Sequence, residues 1–180
     1  MDRLKLATVW LGGCSGCHMS FLDLDEWLFD LAARVDVVFS PLVDIKTFPD
    51  HVDVTLVEGA VANEEHLEQI RSIRRKTKIL VAFGDCAVTG NVTAMRNQVG
   101  GAREVLEPAY LEGVDHLAQI PSDPGVLPVL IDRVCPVHHV VPVDLYLPGC
   151  PPPAPRIRAL LEQVLDGVTL TQEPESIRFG

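Results

Sequence analysis

Four of the five cysteines in this chain stand in short stretches rich in glycine or proline: Cys14 and Cys17 in GGCSGCH, Cys86 in FGDCAVTG, and Cys150 in LPGCPPP. Thiolates are the ligands that iron–sulfur clusters and zinc sites share. One close pair with two distant single cysteines is enough for one four-iron, four-sulfur (4Fe–4S) cluster. Gly12, Gly13, Gly16, Gly84, Gly90 and Gly149 around these thiols carry no side chain, so backbone can approach a bulky inorganic body and N–H groups can reach its sulfides. Pro151 to Pro153 then restrict the chain after the last thiol. Structural zinc ribbons usually bring two close pairs and stabilise a core too small to fold alone. A single pair therefore favours iron–sulfur, with zinc as the alternative.

Remote thiols need a scaffold that brings them together. Leu4–Leu11, Val35–Val43, Val52–Val57, Lys78–Phe83 and Val143–Leu147 are short, β-branched, largely apolar segments that read as strands. Between them lie helical patterns. Ser20–Ala33 places Phe21, Leu24, Trp27, Leu28 and Leu31 at spacings of three and four, and Asn63 is a plausible N-cap for Glu64–Lys76. Ala154–Leu165 closes the series, with Pro155 in its first turn and Gly167 beyond its end. This alternation implies an α/β, flavodoxin-like three-layer fold with a mostly parallel central sheet. In such sheets ligands gather beyond the carboxyl ends of the strands. Cys14, Cys86 and Cys150 each follow an expected strand by a few residues, so all should arrive at one edge. Gly100–Pro136 is the least regular stretch, with one helix expected near Ala102–Leu111 and then a long surface connection.

At 180 residues the chain fits a single domain, 1–180, large enough to bury about 70% of its unfolded surface without help from a metal. A cluster here would serve chemistry. Fifteen basic against 25 acidic residues give a net charge of -10, which argues against nucleic acid and anionic membrane surfaces as partners. No apolar run approaches the roughly 20 residues of a membrane span, and the amino-terminal stretch lacks the features of a signal peptide. The expectation is a cytoplasmic protein whose cysteines are ligands or free thiols.

GGCSGCHMSF, VEGAV at 57–61, GDCAVTGNV and VDLYLPGCPPP together resemble the small subunit of nickel–iron hydrogenases and its relative in respiratory complex I. The resemblance spans nearly the whole chain and keeps the ligand segments in the family's order. It implies that Cys14, Cys17, Cys86 and Cys150 ligate one 4Fe–4S cluster, which takes electrons from a nickel–iron centre on a separate large subunit. The complex I relative has adjacent cysteines at the first motif, whereas Ser15 and Gly16 separate the pair here, which favours the hydrogenase branch. Neither a twin-arginine signal nor a C-terminal multi-cluster domain is expected. A short, one-cluster small subunit is most similar to that of cytoplasmic bidirectional NAD-reducing hydrogenases. There a diaphorase with FMN and further clusters continues the relay. The alternatives are a hydrogenase using another acceptor, such as a deazaflavin, and a zinc-binding flavodoxin-like module.

Several other residues invite a role. Glu58, ending an apolar strand, matches the family's Glu-Gly and is a candidate for proton handling or a place near the cluster. His18, where many hydrogenases place serine and then glutamate after the second cysteine, is expected either to reach a cluster sulfur, to face the partner, or to sit on the surface. His138 and His139 read as surface histidines, Cys135 as a small buried thiol outside the ligand motifs, and Trp10 and Trp27 as core or interface anchors. FMN on this chain is conceivable at the Gly-rich turn but not expected, because the cysteines occupy the same backbone donors. The 113–136 connection is the expected docking surface toward the diaphorase.

Overall fold

The computed structural model describes residues 3–112 and 117–167. Five strands form one sheet: β1 (Leu4–Trp10), β2 (Val35–Phe39), β3 (Val52–Glu58), β5 (Thr77–Phe83) and β7 (Leu145–Leu147). Its order is β2-β1-β3-β5-β7 and every pairing is parallel. Counting only these strands, that is the flavodoxin-like 2-1-3-4-5 order, whose topological switch lies between the first and third strands. The parallel sheet follows from strands apolar on both faces. Along β5, Val81 and Phe83 enter one core while Leu80 and Ala82 enter the other. Adjacent residues of a strand point to opposite faces.

Helices α1 (Gly16–Leu22), α2 (Trp27–Arg34) and α6 (Ala154–Leu165) cover the first face through Phe21, Trp27, Leu31, Ile157 and Leu161. Helices α3 (Glu64–Lys76) and α4 (Asp85–Thr89) cover the second through Ile70, Ile73, Ala87 and Val88. Asn63 caps α3 as expected, its Oδ1 accepting the His66 backbone N–H at 2.7 Å.

Three expectations are corrected. The helix from Ser20 to Ala33 is two helices, because Asp25 takes φ 49° and the chain turns between α1 and α2. Strand β2 stops at Phe39 and does not reach Val43: Ser40 turns inward to meet Thr8, and Pro41 has no N–H for a ladder. The long connection is also not structureless. After α5 (Ala102–Tyr110), which carries Pro108 within it, strand β6 (Leu130–Cys135) pairs antiparallel with the three-residue β4 (Val61–Asn63). The first residues of the expected docking stretch, 113–116, and the ends of the expected single domain lie outside the described residues. No helix among the described residues is long and apolar enough to cross a membrane.

Candidate metal centre

The loops after β1, β5 and β7 converge at the carboxyl edge of the sheet and are bonded to one another. Gly84 N donates to Leu147 O at 2.8 Å and Asp85 N to Gly149 O at 2.9 Å, while Gly149 N donates to the Asp85 carboxylate at 2.7 Å. Across the switch point, Gly12 and Ala60 exchange two backbone hydrogen bonds, at 2.8 and 2.9 Å. Ser20 Oγ donates to Pro152 O at 2.6 Å, tying α1 to the proline run after Cys150, whose peptide bond to Pro151 is cis.

These ties bring the four expected thiols together. Cys17 is buried at the start of α1, Cys86 is half-buried on α4, and Cys14 and Cys150 are exposed at the rim. Burial pushes the Cys17 thiol pKa far up, and Glu58, Cys86, Cys14 and Cys150 each push it further. Cys86 is raised as well, first by burial. The Thr93 hydroxyl pulls the other way, Cys14 and Cys150 add to the rise, and the Val92 amide eases it. Thiols placed so that Cys14 and Cys150 raise both Cys17 and Cys86, and Cys86 raises Cys17, form a site that favours positive charge, which metal ions supply by holding thiolates deprotonated.

Room for that charge comes partly from Gly84. It holds φ 83°, and a Cβ there would stand 2.2 Å from Cys17 Sγ. Among the described residues no three His, Cys, Asp or Glu side chains are grouped to hold a metal ion.

Residues not singled out from sequence complete the edge. Asn91 Nδ2 donates to Cys150 Sγ at 3.3 Å, and Thr93 Oγ1 donates to Gly12 O at 2.8 Å, linking the Cys86 segment to the Cys14 loop. The only sequence signal for them is their position in the GNVT run just after Cys86.

His18 departs from expectation. Its side chain is neither at the surface nor turned to a sulfur or a partner: the residue is 3% exposed and both ring nitrogens are engaged. Nδ1 contacts Glu58 Oε2, which also accepts the His18 backbone N–H at 3.0 Å, and Nε2 lies 3.1 Å from Thr8 Oγ1. Glu58, 1% exposed, is thus the buried carboxylate beneath the cysteine loop.

The remaining candidates lie elsewhere. Cys135 is half-buried, not buried, with Sγ directed at Arg133 O. His138 and His139 are exposed and stack edge to face, their centroids 4.6 Å apart. Trp27 is buried with the Arg158 guanidinium 5.3 Å over its ring, whereas Trp10, at the carboxyl end of β1, is 45% exposed.

Residues 14–164 match the family model described as NADH ubiquinone oxidoreductase, 20 Kd subunit. The chain belongs to this family. It is 38% identical to the NAD-reducing hydrogenase HoxS subunit delta of Cupriavidus necator, over 92% of this chain and 80% of that one. It is 39% identical to an F420-non-reducing hydrogenase subunit of Methanothermobacter marburgensis, over 84% of this chain. This chain spans about half the length of that relative. A solved structure of an NAD+-reducing nickel–iron hydrogenase in its H2-reduced state contains a chain of the same fold. Its TM-score is 0.90 at 42% identity, over 99% of this chain and 100% of that one. A nickel–iron–selenium hydrogenase from Desulfomicrobium baculatum, at 18% identity and TM-score 0.61, shares the fold. The α/β architecture and the membership among hydrogenase small subunits expected from the motifs are therefore established.

Proposed function

We propose that this chain is the electron-transfer small subunit of a cytoplasmic NAD-reducing nickel–iron hydrogenase, a single domain holding one 4Fe–4S cluster on Cys14, Cys17, Cys86 and Cys150. The observation that carries the reading is the convergence of these four thiols, from three separate loops, on the switch-point edge of the sheet, where Cys14 and Cys150 both bear on Cys17 and Cys86. A relative from Archaeoglobus profundus, 36% identical, is named an iron-sulfur subunit, which supports the cofactor class. When bound, such a cluster accepts and releases single electrons.

The chain's own residues supply the setting. Burial of Cys17 and the cross-bonded loops exclude water from one side of the site, while exposed Cys14 and Cys150 leave the other side open to a partner. That open rim is where a nickel–iron large subunit would dock, and exposed Trp10 lies on the same edge. Glu58 acts on the cysteine loop through His18, so a proton it handles is shared with that ring. Diaphorase subunits with FMN and further clusters are the proposed acceptors, reached through the surface that includes 117–136; no flavin is assigned to this chain.

The comparable identity to F420-non-reducing hydrogenase relatives keeps a second acceptor in view. The acceptor is decided by assay: the purified complex should reduce NAD with hydrogen, and hydrogen uptake with an artificial dye but none with NAD would point to another carrier. The cluster is decided by metal and sulfide analysis of anaerobically purified complex together with electron paramagnetic resonance. About four iron and four sulfide are expected for this site. Zinc in their place would overturn the assignment.

A further inference from the structure

The polar groups beneath the cysteine loop continue past Glu58 and His18 to the far side of β1. Thr8 and Ser40 are both buried, at 2% and 5% exposure, on a sheet face that is otherwise the apolar core of Leu6, Leu56 and Phe21. Thr8 Oγ1 donates to Ser40 Oγ at 2.8 Å, and Ser40 Oγ also accepts the Leu42 backbone N–H at 3.2 Å. His18 Nε2 lies 3.1 Å from the same Thr8 oxygen and Nδ1 contacts Glu58, so the ring is held between the two.

We infer that Thr8 and Ser40 are positioning residues: the hydrogen-bond chain Ser40–Thr8–His18–Glu58 fixes the orientation of the buried His18 ring and thereby holds the Glu58 side chain in place beneath Cys17. Polar groups persist in a core only when partnered, and each member of this chain has its partner. A fixed carboxylate matters at this place because Glu58 already acts on Cys17 through space. Charges and hydrogen bonds around the ligating sulfurs set a cluster's potential and spectrum. Orientation of a ring by its second nitrogen is a familiar device around metal centres. Here it passes through a carboxylate that orients the ligand loop.

The inference rests on the cluster assignment above, and the experiment separates the two. The full hydrogenase complex would be prepared with this chain unaltered, as Thr8→Val, as Thr8→Ser and as Ser40→Ala, and the cluster followed by redox titration with electron paramagnetic resonance. Thr8→Val keeps the shape and removes the hydroxyl. Ser40→Ala frees the Thr8 proton to turn toward His18. Both should keep their iron and sulfide yet shift the midpoint potential and line shape beyond the scatter of replicate titrations, while Thr8→Ser reproduces the unaltered protein. Unmoved potentials in both Thr8→Val and Ser40→Ala, or an equal shift in Thr8→Ser, would overturn the clamp. Should Thr8→Val fail to assemble, Ser40→Ala decides. Absence of iron from unaltered complex would refute the cluster instead, and the clamp would then be judged by nitrogen NMR of labelled histidine, with a His18 signal displaced in Thr8→Val and Ser40→Ala expected and one unmoved in both overturning it.

Discussion

The carboxyl edge of the sheet and the stretch from 117 to 129 are both built of irregular backbone, yet they are held in opposite ways. At the edge, loops after β1, β3, β5 and β7 bond to one another, and Ser20, Asp85 and Thr93 add side-chain ties between loops remote in sequence. Apart from Ile120, every residue from 117 to 129 is exposed, including Leu117 at 86% and Val126 at 71%. Irregular backbone that is cross-bonded and half-buried behaves as part of the core, and a disturbance in one loop reaches the thiols carried by the others. Irregular backbone facing water has little to transmit. The difference locates function at the edge more firmly than the presence of cysteine does, because Cys135, at the end of β6, is half-buried as well yet is not among the thiols that bear on Cys17 or Cys86.

The largest expected effect breaks the edge at its ligands. Serine in place of Cys14, Cys17, Cys86 or Cys150, one at a time, should remove or convert the cluster and abolish hydrogen-dependent NAD reduction by the complex, while diaphorase activity with NADH and a dye survives. Cys135→Ser should retain iron, spectrum and activity. Iron analysis of the five variants settles the matter; loss confined to Cys135→Ser would reverse the assignment.

A matched pair of glycines sharpens the contrast. Gly84 at the edge and Gly125 in the exposed stretch have nearly the same positive φ, 83° and 84°, so alanine at either is strained, by roughly 1–3 kcal/mol. Their surroundings differ completely. A Cβ at 84 would stand 2.2 Å from Cys17 Sγ and must displace it, whereas at 125 nothing lies within 4 Å. Gly125→Ala should therefore lower the melting temperature by about 2–4 °C per kcal/mol of strain and leave iron content alone. Gly84→Ala should lower it further and lose iron. Equal losses of iron in both, or in neither, would show that space around Cys17 is not what Gly84 provides.

Asn63 tests whether stability and site can be uncoupled, since α3 packs on the sheet face away from Thr8 and His18. Its cap is one hydrogen bond to His66 N, and Asn63→Ala should cost about 1 kcal/mol in denaturant unfolding with the cluster's spectrum unchanged, while Asn63→Asp should cost less. A spectral change on losing the cap would mean that the two faces are linked through the sheet.

Much of this was legible from residue order alone because the informative motifs are local. GGCSGCH, FGDCAVTG and LPGCPPP each follow an apolar strand, and the switch-point rule then assembles them without any knowledge of contacts. Asn63 and the helix it begins were equally readable, since a cap and its helix are neighbours in sequence. The readings that failed depend on distant partners. Strand β6 needs the three-residue β4, nearly 70 positions earlier, and alternates too weakly to announce itself. His18 reads as a residue facing a cluster sulfur, a partner or the surface because the groups that bury it, Thr8 and Glu58, lie on two strands remote in sequence. The break at Asp25 went unseen because apolar spacing runs unbroken across two helices that share one core face.

The smallest expected effect is a pH dependence that belongs to the β4–α3 junction and not to the metal edge. Burial lowers the pKa of His66 from its ordinary 6.5, with Glu65 opposing more weakly. His66 Nδ1 accepts the Ala62 backbone N–H at 3.3 Å, a role only the unprotonated nitrogen can play. Between the lowered value and 6.5 the unfolded chain binds a proton that the folded chain declines, so this contribution to stability is complete above about pH 6.5 and is lost progressively as pH falls toward the folded value. His138, also lowered, first by burial and then by His139, adds a slope of the same sign, so the test must be a difference. Urea midpoints measured at pH 7.5 and pH 5.5 should fall less in His66→Gln than in the unaltered protein, with His138→Gln as the comparison from an exposed site. An identical fall in the unaltered protein and in His66→Gln would remove His66 as the cause and leave carboxylate pairs such as Arg74–Asp144, which ties α3 to the segment leading into β7, to account for the acid limb.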